Sequence, residues 1–111
     1  MRRFLWAVLA VLAASPAFAT AGGPDRWHVQ GVAAGEILTV RSRPDTSARV
    51  VGHLPANARD LSNLGCNTPS FERWLAMTPA QKNAAAANRW CKVHYRGLTG
   101  WVRGRYLREA D

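Results

Sequence analysis

The fold of this chain is decided by residues 89–107, which read RWCKVHYRGLTGWVRGRYL. The pattern predicts two β-strands joined by a glycine-containing turn. The side chains of the first strand divide between two faces, with Cys91, Val93 and Tyr95 on one and Trp90, Lys92, His94 and Arg96 on the other. Because successive residues of a strand point to opposite faces, we expect the first set to face inward. A tight reversal is predicted between Gly97 and Gly100.

The N-terminus has the pattern of an export signal. Arg2 and Arg3 precede an apolar run over residues 4–14, and Ala17-Phe18-Ala19 supplies a cleavage motif. The run is shorter than the roughly 20 residues that a membrane-spanning helix needs. We therefore predict a signal peptide over residues 1–19, a flexible lead-in over 20–26 and one domain over 27–111, in a periplasmic or secreted protein with no transmembrane segment after cleavage. The alternative is an uncleaved N-terminal anchor.

Two cysteines, Cys66 and Cys91, remain in the predicted mature chain. Two thiols in a small exported domain are most simply explained as one disulfide bond. A reactive pair is the alternative, but redox proteins usually use a C-x-x-C spacing, which this chain lacks.

The chain is strongly basic, with 15 Lys and Arg residues against 7 Asp and Glu and a formal net charge of +8. Many of the basic residues fall in the last quarter of the chain: Arg89, Lys92, Arg96, Arg103, Arg105 and Arg108. A basic exported protein meets anionic envelope material, not nucleic acid, so we expect an anionic partner such as a cell-wall peptide or an envelope protein. Excess charge on a solvated surface is the alternative explanation.

Several short extended segments precede this hairpin. Trp27 and Val29 alternate with polar neighbours, and residues 37–41, 48–54 and 61–66 follow with turn residues between them. Short strands at close spacing in a small chain predict a mainly β domain, a compact barrel or sandwich.

Residues 67–88 interrupt the strand pattern and predict an insertion of one or two short helices. Thr68 and Pro69 have the pattern of a helix start, Thr78-Pro79-Ala80-Gln81 is a capping-box sequence, and four alanines follow at residues 84–87. Because Cys66 and Cys91 flank this segment, a disulfide between them would close its base.

Three blocks of the sequence carry a resemblance. Residues 38–44, LTVRSRP, are similar to L-N-V-R-S-G-P; residues 50–55, VVGHLP, are similar to V-I-G-x-L-P; and residues 90–107 fit W-x-K-V-x-Y-x-G-x-x-G-W-V-x-x-x-Y-L. In this order the blocks resemble the bacterial SH3-like family. The resemblance implies a small SH3-like barrel of five to six short strands and a role in recognising cell-wall peptides or proteins. Arg43 and Arg96 depart from the family pattern at turn positions, and the insertion is additional to the minimal barrel.

The sequence shows no pattern typical of an enzyme. His28, His53 and His94 are far apart and none is spaced as a metal ligand with a second donor, and the carboxylates occur singly. In the SH3-like family, catalysis usually belongs to a separate attached domain. We therefore predict a binding protein that is not an enzyme and uses no metal or cofactor.

The candidate ligand-binding residues all lie in the closing hairpin, where aromatic rings alternate with cationic groups: Trp90, Lys92, Arg96, Trp101, Arg103, Arg105 and Tyr106. Aromatic rings supply contact area, and arginines can pair with carboxylates or phosphates. Val93, Tyr95 and Val102 are predicted to be core. An alternative hypothesis places the contact surface on the helical insertion, and a third, less favoured one is a redox or hydrolytic protein that uses Cys66 and Cys91.

Overall fold

The computed structural model describes residues 23–110, so the predicted signal peptide lies outside the described residues. The described chain is mainly β, as predicted. Its strands are β1 (Arg26–Val29), β2 (Ile37–Arg41), β3 (Val50–Pro55), β4 (Leu61–Cys66), β5 (Trp90–Tyr95), β6 (Leu98–Arg103) and β7 (Leu107–Glu109). Two helices, α1 (Phe71–Ala76) and α2 (Pro79–Ala87), lie between β4 and β5, and a 3-10 turn (Gly104–Tyr106) precedes β7.

The seven strands form one antiparallel sheet in the order β3-β2-β6-β5-β4-β1-β7. Every strand contributes to a single apolar core, whose buried members are Trp27, Val29, Leu38, Val40, Leu54, Ala58, Leu61, Cys91, Val93, Val102 and Leu107. A sheet whose two ends pack into the same cluster must curve around it. The described residues form seven strands, so the predicted count of five to six is wrong.

The additional strand, β7, begins at Leu107, the last residue of the 89–107 segment. Residues 89–107 were predicted to form two strands, but after β6 the chain makes the 3-10 turn and β7 then pairs with β1, with Val29 opposite Leu107. The turn is held against the start of β5, because the Gly104 N–H donates to the Arg89 carbonyl over 2.8 Å. A Cβ on Gly104 would meet the side chain of Arg89, which could move aside.

The turn between β5 and β6 lies two residues earlier in the sequence than predicted, because the reversal was expected between Gly97 and Gly100. Tyr95 pairs with Leu98, which leaves Arg96 and Gly97 as the two turn residues, with φ angles of 47° and 83°. Positive φ at both central residues defines a type I′ turn, which matches the twist of a hairpin. Gly100 lies in β6 instead and packs against β2, where a Cβ would approach the Arg41 carbonyl oxygen to 2.9 Å.

The predicted disulfide is present. Cys66 and Cys91 are bonded and stand opposite each other where β4 pairs with β5, so the bond closes the base of the insertion. The capping box at the start of α2 is also confirmed, because Thr78 and Gln81 exchange hydrogen bonds with each other's backbone N–H. The helix start predicted at Thr68 and Pro69 is wrong: α1 begins after Ser70, whose hydroxyl accepts a hydrogen bond from the Arg73 N–H.

Strand β1 departs from simple alternation, since His28 is only 3% exposed although its neighbours Trp27 and Val29 face the core. The imidazole is held by the segment before β4: the Asp60 N–H donates to Nδ1 over 3.1 Å, and the Arg59 guanidinium lies 3.1 Å from Nε2. The hydrogen bond from the Asp60 N–H to Nδ1 gives one ring nitrogen of this buried side chain a partner. His28 is therefore a structural residue in this fold.

Candidate functional site

The outer face of the sheet carries alternating cations and aromatic rings. In the β5–β6 ladder Trp90 stands opposite Arg103 and Lys92 stands opposite Trp101, and β2 adds Arg41 on the other side of Trp101. Directly opposed side chains on neighbouring strands are close enough to interact. The register thus assembles three cations and two indoles on one surface.

Beside this surface lies a groove of about 370 Å³. It is bounded by the β1–β2 loop, the edge of β2, the end of β6 and the 3-10 turn, and its lining residues are Gly31, Val32, Glu36, Ile37, Leu38, Thr39, Arg41, Thr46, Trp90, Arg103 and Tyr106. Three of the seven predicted binding residues, Trp90, Arg103 and Tyr106, meet here. The groove is the candidate functional site.

Trp90 and Arg103 form the floor of the site as a stacked pair. The Arg103 guanidinium carbon lies 5.4 Å from the centroid of the Trp90 ring. Trp90 lies on the side of the sheet away from Cys91 and Val93, but its side chain is only 6% exposed. The covered ring attracts the cation and holds it in place, while the rest of the guanidinium lines the groove.

Tyr106 is positioned from the opposite side by Gln30, the residue that follows β1. The Gln30 N–H donates to the Tyr106 carbonyl over 2.8 Å, and the Gln30 amide donates to the carbonyls of Arg105 and Leu107. These bonds fix the 3-10 turn that carries the phenol ring. Gly31 lies under the ring, since a Cβ there would be 3.6 Å from Cδ1 of Tyr106.

Two charged groups of the groove were absent from the sequence-based candidates. Arg41 lines it from the end of β2, where its Nη1 donates to the Ala48 carbonyl over 2.9 Å, and Glu36 lines it from the β1–β2 loop. Arg41 lies in the LTVRSRP block that carries the family resemblance, but only the pairing of β2 with β6 brings it to Arg103. Glu36 had no signal in the sequence beyond its place before a strand.

The other four predicted residues do not line the groove. Lys92 and Trp101 are half-buried neighbours on the outer face. Arg96 lies in the β5–β6 turn with its guanidinium 5.2 Å from the Tyr95 ring, and Arg105 is exposed with its guanidinium 5.5 Å from the Tyr106 ring. Lys92 and Trp101 extend the cationic surface beside the groove, whereas Arg96 belongs to the hairpin tip.

The electrostatics of the site are positive. Over residues 23–110 the single ion pair joins Arg43 to Asp45 at 3.8 Å, so neither Arg41 nor Arg103 has a carboxylate partner. Asp45 lies close to this region, and hydrogen bonds from the Ser47 N–H and hydroxyl lower the pKa of its carboxyl, helped by the Arg43 guanidinium. A guanidinium with free N–H groups beside aromatic surface is suited to binding a carboxylate or a phosphate.

Outside the groove, the described residues contain no candidate metal site and no free thiol. Within residues 23–110 no cluster of three or more His, Cys, Asp or Glu side chains could hold a metal ion. Both cysteines are consumed by the disulfide in this structure, so neither is available as a thiolate nucleophile.

The fold and the groove define a class of small, mainly β protein: a curved seven-stranded antiparallel sheet with a disulfide-closed helical insertion and a basic, aromatic groove. Comparisons with protein-family models, with curated proteins and with solved structures find no match to this chain. Among the described helices, none has both the length and the apolar character needed to cross a bilayer.

Proposed function

We propose that this protein is an exported SH3-like binding module that recognises an anionic component of the cell envelope, either a peptidoglycan peptide or an envelope protein. The three sequence blocks support the SH3-like barrel, as does the curvature of the sheet around one core. The export pattern at residues 1–19 and the Cys66–Cys91 disulfide support a periplasmic or secreted location, since disulfides persist in oxidising compartments.

The observation that carries the proposal is the convergence of Arg41 and Arg103 on a groove walled by Trp90 and Tyr106. The two arginines attract a carboxylate, the Tyr106 ring supplies contact area, and the covered Trp90 ring orients Arg103. Glu36, on the β1–β2 loop, gives the same groove an acceptor for a ligand amine or amide N–H. A short peptide with a free carboxylate and an amine has both of the groups that this lining can bind.

Sedimentation of the purified protein with insoluble peptidoglycan tests the cell-wall version. We expect retention at low ionic strength that weakens as salt is added, because the contact is partly electrostatic. Soluble peptides released from the same peptidoglycan should displace the protein. An absence of retention at low salt would overturn the cell-wall version and leave an envelope protein as the ligand.

A second candidate function places the contact surface on the insertion, and the exposure of apolar side chains on α1 favours it. Phe71 is 74% exposed and Leu75 is 63% exposed, and neither helix has a buried residue. Replacement of residues 68–88 by a short Gly-Ser linker tests it. Asn67 is kept because its side-chain oxygen accepts a hydrogen bond from the Trp90 N–H over 2.7 Å. If the insertion is the contact surface, the shortened protein folds but no longer captures its partner.

A further inference from the structure

The insertion displays a compact set of apolar side chains that the rest of the described chain leaves uncovered. On α1, Phe71, Trp74 and Leu75 follow the i, i+3, i+4 spacing that places side chains on one face of a helix. Leu64, 52% exposed, lies on β4 just before the insertion. We call Phe71, Trp74 and Leu75 the insertion patch. An exposed apolar patch on a small domain indicates contact with another apolar environment.

The charges around the insertion patch indicate the nature of that environment. Residues 67–88 contain two basic residues, of which Arg73 lines the cleft between α1 and α2 and Lys82 lies beside the insertion patch. The Lys82 ammonium lies 5.3 Å from the centroid of the Trp74 ring. An aromatic ring and apolar side chains beside a long cationic side chain are typical of protein surfaces at a lipid headgroup boundary, where the ring enters the acyl region and the cation stays among the phosphates.

The structure of the insertion also suits a peripheral contact. The disulfide between Cys66 and Cys91 holds its base rigidly on the sheet, and neither helix is buried against the core. The aromatic and leucine side chains are thus held away from the sheet without being packed on it. Without Arg2 and Arg3 of the predicted signal peptide, the chain keeps 13 Lys and Arg residues against 7 Asp and Glu, a net charge of +6, which disfavours self-association and favours an anionic surface.

We propose that the insertion patch docks on an anionic lipid surface, with Phe71, Trp74 and Leu75 entering the headgroup boundary and Lys82 contacting a lipid phosphate. This inference rests on the second candidate function, because it uses the insertion as the contact surface and assigns a lipid surface as its partner. It is independent of the groove. Docking would hold the groove close to an envelope membrane and restrict the ligands that it meets.

Co-sedimentation with lipid vesicles tests the proposal. The purified exported protein is mixed with vesicles of phosphatidylcholine containing phosphatidylglycerol and, in parallel, with vesicles of phosphatidylcholine alone. We expect binding to the anionic vesicles, and we expect the Phe71→Ser/Leu75→Ser variant to lower partitioning at least about tenfold, since two large apolar side chains no longer leave water. The matched control, Ala80→Ser/Ala86→Ser, changes two small exposed residues of α2 and should bind like the original protein.

Three further measurements separate this proposal from its competitors. Because α1 has no buried residue, Phe71→Ser/Leu75→Ser should leave the thermal midpoint unchanged, so a loss of binding is not a loss of folding. The groove variant Arg103→Gln should bind vesicles normally, which separates this proposal from the groove function. The proposal would be overturned if Phe71→Ser/Leu75→Ser bound anionic vesicles as well as the original protein does. A second result would also overturn it: the protein fails to bind anionic vesicles and forms a concentration-dependent dimer that Phe71→Ser/Leu75→Ser abolishes. That result would assign the patch to contact with a second copy of the chain.

Discussion

Arg103 and Trp90 are direct partners across β5 and β6, and the guanidinium carbon of one lies 5.4 Å from the ring centroid of the other. The pair occupies the point where the closing hairpin meets the end of the insertion. Because the indole is covered, it cannot offer a wide stacking surface to a ligand. Its part in the proposed site is to orient Arg103 toward the groove, and Arg103 supplies the charge.

Substitution of Gly100 tests the close approach of β6 to β2. A Cβ at Gly100 would meet Cγ1 of Val40 at 2.6 Å and the Arg41 carbonyl oxygen at 2.9 Å, and the backbone oxygen cannot rotate away. We expect Gly100→Ala to lower the free energy of unfolding by about 1–3 kcal/mol, as overpacking usually does, measured by denaturant unfolding. Gly52→Ala is the control: its methyl meets only the Leu98 side chain, so it should cost less. An equal or smaller loss for Gly100→Ala would contradict the packing described.

The disulfide should contribute a substantial part of the stability of so small a domain. It closes a loop spanning 25 positions. Such a loop corresponds to about 3–4 kcal/mol in the chain-entropy model, so Cys66→Ala/Cys91→Ala should lose about that much free energy of unfolding. The original protein treated with reductant should show a similar loss. Thiol titration of the native protein should find no free thiol, and two titratable thiols would contradict the bond.

The type I′ turn predicts a stabilising substitution. Arg96 has φ of 47°, a region that costs a residue with an ordinary side chain roughly 1–2 kcal/mol and that asparagine tolerates better. Loss of the Arg96–Tyr95 contact offsets part of the gain, so we expect Arg96→Asn to raise the free energy of unfolding by about 0.5–1 kcal/mol. Arg49→Asn, at an exposed position with negative φ, should give no gain. A loss of stability in Arg96→Asn would be evidence against the turn.

Asp45 predicts a measurable pH dependence. Its carboxyl accepts hydrogen bonds from the Ser47 N–H and hydroxyl, which lower its folded-state pKa below the ordinary value of 3.8. The carboxylate therefore stabilises the fold above pH 3.8, and that contribution disappears as the pH falls through the lower folded-state pKa. An NMR titration of the Asp45 carboxyl carbon should show a midpoint below 3.8, and Ser47→Ala should raise it. A midpoint at or above 3.8 in the original protein would contradict these contacts.

Much of the fold could be predicted because the signals are local. The alternation in residues 37–41 gives the bounds of β2, the capping box gives the start of α2, and the cysteine pair gives the disulfide. The two glycines of the hairpin show the limit of such reasoning. Gly97 lies in the turn, where the backbone has a positive φ. Gly100 allows β6 to pack closely against β2. The spacing of the two glycines in the sequence does not distinguish these roles.

The candidate site was harder to predict than the fold, because its residues meet only through pairings between distant segments. The hairpin composition identified Trp90, Arg103 and Tyr106, but Arg41 joins them through the β2–β6 pairing and Glu36 through the preceding loop. Arg96 was a reasonable candidate by composition and lies at the hairpin tip. Sequence alternation also placed Trp90 on an outward face without showing that Arg103 and its neighbours cover it.

Peptidoglycan binding by two charge-matched variants is the most direct test of the central claim, that the groove binds an anionic envelope ligand. Arg103→Gln and Arg108→Gln each remove one positive charge, but only Arg103 lines the groove, while Arg108 is exposed on β7. The account predicts that Arg103→Gln weakens retention by about tenfold or more and that Arg108→Gln changes it by less than about twofold. Equal losses in the two variants, or full retention by a folded Arg103→Gln protein, would contradict the claim.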